Sequence, residues 1–168
     1  MKSQMRYNTK KQIFLTQFLI YLIDEGQTTY ESFSELMPNI LNSEFTMFIV
    51  DFKKMLSDLR MNYSLVKEER INPDNKAQFG VITYYLNSLG IDNHFEYEHL
   101  NEEELIKYSM TIVYLMLRNK QYITTTYLSS IFPNFNKKIM FNLLTKLKEI
   151  IPGEINKNQY FSYVIDLD

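Results

Sequence analysis

The sequence predicts a mainly helical α+β protein made of two copies of one unit, each consisting of three helices followed by a β-hairpin. Three observations predict this fold. Apolar residues recur at spacings of three and four in several segments, a short run of β-branched and aromatic residues follows them in each half, and the whole pattern occurs twice. Hydrophobic residues make up 45% of the 168 positions, which is enough to build packed cores.

The first predicted helix spans residues 10–25, where Ile13, Phe14, Phe18 and Leu22 recur at helical spacing. Gly26 is a natural end for this helix, because glycine readily adopts the left-handed conformation that follows a helix. Residues 1–9 are polar and basic, and we expect them to form an arm ahead of the helix.

Two further helices follow in the first half. Thr28 or Thr29 is expected to cap a short second helix, which ends before Pro38. Ser43 is expected to cap a longer third helix. Its apolar stripe has spacings of three and four and consists of Phe45, Phe48, Phe52, Met55, Leu56 and Leu59.

A β-hairpin completes the first half. Residues 64–71 form an imperfect strand pattern, and residues 79–86 are rich in β-branched and aromatic side chains. Residues 72–75, Asn-Pro-Asp-Asn, have the composition of a turn.

The second half repeats this order after a connector at residues 88–100. Asn101 is expected to cap a long helix that ends near residues 118–120, and Thr124 or Thr125 begins a short helix that Pro133 ends. Asn136 begins a helix that continues to Ile151. A hairpin formed by residues 154–156 and 159–166 follows it.

The two halves align at a constant offset of 95 residues in their second helices. Phe33, Leu36 and Pro38 then correspond to Leu128, Ile131 and Pro133, and both segments begin with consecutive threonines. Duplication of one supersecondary unit explains this match. We therefore predict a basic arm at 1–9, a first domain at 10–87, a connector at 88–100 and a second domain at 101–168.

On these elements the chain resembles the winged helix-turn-helix superfamily in tandem arrangement. The resemblance implies that the third helix of a unit enters the DNA major groove and that the hairpin touches the DNA backbone or minor groove. Other tandem winged-helix proteins, such as the kleisin-binding subunits of chromosome-organising complexes, act as protein adaptors. The fold alone does not choose between these functions.

The helix over 136–148 is the predicted contact with double-stranded DNA, in a regulatory or DNA-maintenance role. It contains four lysines and no acid, and amide and basic side chains are the types that bond base edges and phosphates. An ordinary solvated helix face is the alternative interpretation. Lys10 and Lys11 of the basic N-terminal region are expected to assist the residues of this helix, namely Asn136, Lys137, Lys138, Asn142, Thr145, Lys146 and Lys148.

A protein-interaction adaptor is the alternative function, and a homodimer or another protein is then the partner. The third helix of the first unit places Met47 and Val50 beside acidic residues on its outer face, which is more typical of a protein interface than of a phosphate-facing surface. These two residues either form such an interface or pack against the connector or the second domain. The net charge of −2 also disfavours non-specific binding to nucleic acid.

The composition offers no basis for catalysis, a cofactor or a metal site. Cysteine is absent, and no phosphate-binding glycine loop or nucleophile motif occurs. His94 and His99 lie in the connector beside two glutamates, without the three or four convergent ligands that a metal site needs. The apolar run at residues 13–23 is too short to span a membrane. We expect a cytoplasmic, non-enzymatic protein.

Overall fold

The computed structural model describes the backbone of residues 2–70, 81–88, 94–119, 123–151, 154–157 and 163–166, and most side chains from residue 9 to residue 151 in those ranges. Over these residues the protein is α+β and mainly helical, as predicted. The helices are α1 (Lys2–Glu25), α2 (Tyr30–Leu36), α3 (Asn42–Asp58), α4 (Glu102–Lys107), α5 (Ser109–Arg118), α6 (Thr125–Ile131) and α7 (Lys137–Ile150). The strands are β1 (Gln27–Thr28), β2 (Tyr63–Arg70), β3 (Val81–Ser88), β4 (Glu154–Lys157) and β5 (Tyr163–Asp166).

The chain divides into two compact units whose boundaries differ from those of the predicted domains. One unit is Phe18–His94, and the other combines Met1–Gln17 with Phe95–Asp168. The division falls within α1, so this helix contributes to both units. The residues predicted to form a separate arm are the first turns of α1, since Lys, Gln, Met and Arg favour helix and neither glycine nor proline interrupts them.

The Phe18–His94 unit contains a three-stranded antiparallel sheet in the order β1-β3-β2. The predicted hairpin is present, and Leu65 lies opposite Leu86 in its register. The turn predicted at residues 72–75 lies outside the described residues. The short strand β1 has no pattern of its own in the sequence, and it pairs with the middle of β3.

Aromatic rings form the core of this unit. Phe18 of α1 is fully buried and makes edge-on contacts, with ring-centroid distances of 5.1 Å to Phe33 and 4.9 Å to Phe52. Phe45 and Tyr84 add further contacts at 5.9 and 6.2 Å. One aromatic side chain of α1 thus holds together α2, α3 and the sheet.

The ends of α1 and α3 have different chemistry. Gly26 ends α1 with φ 86°, as predicted. The prediction that Ser43 caps α3 is wrong, because the helix begins at Asn42 and the Glu44 carboxylate accepts a hydrogen bond from the backbone N–H of Leu41 at 3.1 Å. The Glu44 side chain is long enough to reach back to the start of the helix, and it takes the place of a short capping side chain such as that of serine.

In the second unit the predicted long helix is divided into α4 and α5 at Tyr108. Asn101 caps α4 as predicted, since its side chain accepts a hydrogen bond from the Glu104 N–H at 2.8 Å. Helix α5 is buried from Ser109 to Leu117, which explains why its sequence is apolar on every face. Strands β4 and β5 pair antiparallel, with Ile155 opposite Ile165.

Two pairs of hydrogen-bonded threonines share the 95-residue offset of the predicted repeat. Of the candidate caps for the short helices, the structure selects Thr29 and Thr124, which accept backbone N–H bonds at 3.1 and 3.0 Å and are 95 positions apart. Thr16 of α1 and Thr111 of α5 have the same separation, and their buried hydroxyls lie 2.8 Å apart. The 95-residue offset predicted for α2 and α6 thus also relates one residue of α1 to one residue of α5.

Candidate nucleic-acid interface

Helix α7 begins at the residue that the sequence predicted. Asn136 is its N-cap, and the side-chain oxygen accepts a hydrogen bond from the backbone N–H of Ile139 at 2.9 Å. This bond uses one of the two lone pairs of the amide oxygen, and the side-chain NH₂ group is the part of Asn136 that can donate to an external acceptor such as a phosphate.

The two faces of α7 have opposite character. Met140, Leu143, Leu144 and Leu147 are buried. Asn142 and Thr145 are exposed, as is Lys138, and residues at positions i, i+4 and i+7 share one helix face. The helix is therefore anchored by one side and presents a polar stripe on the other.

Basic side chains surround this stripe. Lys137, Lys138 and Lys148 are exposed, and Lys146 is half-buried. The exposed Glu149 follows Thr145 by four positions on the same stripe, and it is the first acid of the helix. The first three turns of α7 thus present positive charge, and this charge is partly offset in the last turn.

The polar members of the stripe differ in what they can bind. The Thr145 hydroxyl donates a hydrogen bond to the Phe141 carbonyl at 2.8 Å, which leaves its oxygen as an acceptor. An acceptor suits an amino group on a base edge and does not suit a phosphate. The exposed Asn142 amide carries both a donor and an acceptor, the pair that recognises the N7 and N6 atoms of adenine.

The predicted assisting lysines belong to the same compact unit as α7. Lys10 and Lys11 are half-buried on the part of α1 that this unit includes. The next residues on either side, Thr9 and Gln12, line a cavity of about 130 Å³ together with Asn142 and Lys146. The part of α1 around Thr9 and Gln12 therefore lies beside Asn142 and Lys146 of α7.

Lys11 has a mixed electrostatic environment. It lines a second cavity of about 280 Å³ with Gln12, Glu103 and Lys107. The amide nitrogen of Gln12 donates a hydrogen bond to the Ile106 carbonyl at 3.0 Å, which fixes α1 against α4. The Glu103 carboxylate reduces the positive potential that Lys11 and Lys107 create there.

Two apolar residues of α7 were absent from the sequence-derived interface. Phe141 is 63% exposed and Ile139 is 40% exposed. The sequence does indicate their exposure, because neither residue fits the three- and four-residue spacing of the buried stripe of α7. The outer surface of α7 is thus amphipathic, with an aromatic ring among the lysines.

The corresponding helix of the other unit, α3, exposes apolar residues and has fewer available positive charges. Met47 is 55% exposed and Val50 is 66% exposed, so neither is buried within its own unit. On the same outer face the Lys54 ammonium lies 2.7 Å from the Asp58 carboxylate. This ion pair neutralises a lysine that would otherwise face an external phosphate.

The connector is attached to α6 through a pair of tyrosine hydroxyls. The oxygens of Tyr97 and Tyr127 lie 3.3 Å apart. Burial raises the pKa of Tyr97 well above its ordinary value, and the hydrogen bond with Tyr127 and the nearby Glu98 carboxylate raise this pKa further. The neutral phenol is therefore the stable form in the fold.

In the part of the chain that the structure describes, no three histidine or acidic side chains come together as a metal site would require, and His94 and His99 belong to no such cluster. Among the described helices, none combines the length and the hydropathy needed to cross a bilayer. No protein-family profile, curated protein or solved structure matches this chain.

Proposed function

We propose that the protein binds double-stranded DNA without catalysis, in a regulatory or DNA-maintenance role, through two tandem winged-helix units. The observation that carries this proposal is the outer surface of α7. It combines exposed lysines with a polar stripe opposite a buried apolar stripe, in the same compact unit as Lys10 and Lys11.

The order of elements supports the winged-helix part of the proposal. Each half has helices followed by an antiparallel hairpin, and the equivalent capping threonines are 95 residues apart. In a winged-helix unit the third helix is the one that enters the major groove. With α4 and α5 counted as the one long helix that the sequence predicts, α7 follows α6 as the third helix of its half.

The exposed chemistry of α7 assigns a role to each side chain. Lys137, Lys138 and Lys148 contact phosphates, which provide affinity without sequence information. Asn142 reads a base edge, and Thr145 accepts a hydrogen bond from a base amino group. The overall charge of −2 limits non-specific attraction, so binding depends on this local surface.

Fluorescence anisotropy with mixed-sequence duplex DNA at two salt concentrations tests the proposal. Phosphate contacts release counterions, so affinity is expected to fall steeply as salt rises. Lys137→Ala combined with Lys138→Ala is expected to weaken binding and to reduce the salt dependence by about two phosphate contacts.

The matched control combines Lys53→Ala with Lys54→Ala. It removes the same charge from two exposed adjacent lysines on α3, and it is expected to leave DNA affinity nearly unchanged. Absence of binding at low salt would refute the proposal. Equal losses in the two double variants would refute the assignment to α7.

A second function, a protein-interaction adaptor, is favoured by the exposure of Met47 and Val50 on α3. Apolar residues at positions i and i+3 form the contact stripe that a partner helix or a second copy of the chain needs. Met47→Asp is expected to abolish the resulting complex, and Ser43→Asp, which adds the same charge at another exposed position of α3, is expected to preserve it.

Light scattering after size-exclusion chromatography, together with analysis of co-purified proteins, measures both outcomes. A protein that is monomeric, co-purifies with nothing and is unaffected by Met47→Asp would exclude the adaptor function.

A further inference from the structure

The Phe18–His94 unit contains a cavity of about 510 Å³, where the end of α3 meets the start of β2. This volume lies within the range of small-molecule sites. Leu56 and Met61 are buried and contribute to the apolar part of its wall, together with the half-buried Leu65. The cavity is open to solvent and belongs to the unit that does not contain α7.

The polar part of the wall provides hydrogen-bond donors and positive charge. Lys53 and Arg60 are exposed, and the hydroxyl-bearing residues are Ser57, Tyr63 and Ser64. None of the eight described residues that line the cavity is acidic. Two cations with three hydroxyls suit a group that has several anionic oxygens, and a phosphate monoester has three.

The backbone at Arg60 provides a second, independent observation. The N–H groups of Arg60 and Met61 donate to the carbonyls of Ser57 and Leu56, each at 3.0 Å, which closes α3 in a Schellman motif. Arg60 occupies its left-handed position with φ 49°, where glycine is the usual residue. A side chain with a Cβ is strained there, and such strain is often retained at functional sites.

We propose that this cavity binds a small phosphate monoester whose organic part is apolar or aromatic. Arg60 forms a paired hydrogen bond with the phosphate, and Lys53 adds a second positive charge. The organic group packs on Leu56, Met61 and Leu65. The site is separate from the proposed DNA contact, so its occupation does not depend on the function of α7.

Two-dimensional amide NMR of the full chain in phosphate-free buffer tests this site, with phenyl phosphate and inorganic phosphate as the probes. Phenyl phosphate at about 10 mM is expected to shift the amide signals of residues 53–65 with saturable binding. Inorganic phosphate is expected to act on the same residues more weakly, because it lacks the apolar group. Absence of saturable shifts with phenyl phosphate would overturn the proposal.

Arg60→Gly separates a binding role from a structural role. It removes the guanidinium and also relieves the strained backbone, so phenyl phosphate affinity is expected to fall at least about tenfold while the melting temperature stays constant or rises. Arg60→Lys keeps the charge and is expected to lose less affinity. Lys67→Ala on β2 removes an exposed lysine that does not line the cavity; it is the control and is expected to leave phenyl phosphate binding unchanged.

Unchanged affinity in Arg60→Gly would show that Arg60 does not hold the anion. A lower melting temperature in that variant would show that Arg60 serves the stability of α3 and would overturn the functional interpretation of its conformation.

Discussion

The buried contact between Thr16 and Thr111 permits a quantitative test of the packing of α1 on α5. The Thr16 hydroxyl lies 3.0 Å from the Gln12 carbonyl and 2.8 Å from the Thr111 hydroxyl. A hydroxyl has one proton, and we assign the proton of Thr16 to the carbonyl, although the 2.8 Å contact by itself fits either direction. Thr111 is therefore the donor in the contact between the two threonines.

This direction predicts unequal costs for two isosteric substitutions. Thr16→Val leaves the buried Thr111 donor without an acceptor, which is expected to cost about 1–3 kcal/mol of unfolding free energy. Thr111→Val leaves the bond from Thr16 to Gln12 intact and is expected to cost only about 0.5–1.5 kcal/mol. In the double variant neither hydroxyl remains, so its cost is expected not to exceed that of Thr16→Val alone.

Urea denaturation followed by far-UV circular dichroism measures the three free energies, and a constant slope with denaturant shows that the values are comparable. Thr145→Val is the control. Its hydroxyl bonds the preceding helical turn at an exposed position, so the expected change is within about 0.5 kcal/mol. Costs that add within about 0.3 kcal/mol, or a larger loss in Thr111→Val than in Thr16→Val, would refute the proposed direction.

Three further predictions concern other parts of the fold. Thr29→Ala and Thr124→Ala remove equivalent helix caps, so each is expected to lower the unfolding free energy by about 1 kcal/mol in urea titrations; a loss in one variant only would contradict their equivalence. Phe18→Ala removes the ring at the centre of the aromatic core and is expected to cost about 3–5 kcal/mol, measured by the same titration; a cost below about 1 kcal/mol would contradict this central position. The pKa of Tyr97 is raised in the fold, so the stabilising contribution of this residue is complete below its ordinary pKa of 10.0 and is lost as the pH rises above 10.0. The unfolding free energy of Tyr97→Phe is therefore expected to fall less steeply with alkaline pH than that of the unmodified protein. Parallel pH profiles of the two proteins would exclude this role.

The sequence predicted the elements whose signals are local. The buried stripe of α7, the caps Asn101 and Asn136 and the end of α1 at Gly26 each depend on residues within a few positions of one another. Such patterns follow directly from the periodicity of a helix and from its unpaired terminal groups.

The features that the sequence did not predict depend on tertiary contacts. Strand β1 has two residues and exists because β3 provides hydrogen-bond partners for it. The separation of α4 from α5 at Tyr108 interrupts an apolar pattern that runs through both helices. The exposure of Phe141 was missed because periodicity identifies the buried stripe and gives no measure of what covers the flanking positions.

The sequence placed most of the candidate DNA-contact residues outside the apolar stripe of α7, but it did not show their local hydrogen bonds. The structure exposes Lys137, Lys138 and Lys148, in agreement with their position outside the apolar stripe. The internal bonds of Asn136 and Thr145 emerged only from atomic positions, because each depends on a side-chain rotamer.

The division of α1 between two units has a consequence for the order in which the chain folds during synthesis. Residues 18–94 form one contiguous unit, which has all its contacts as soon as its last residue leaves the ribosome. The other unit joins Met1–Gln17 to a segment that begins at Phe95. Met1–Gln17 therefore cannot contact that segment until residues 18–94 and the segment itself have been synthesised. The unit that contains α7 is therefore the last to have all its residues available, and the proposed DNA contact of that helix is assembled only after those residues have been translated.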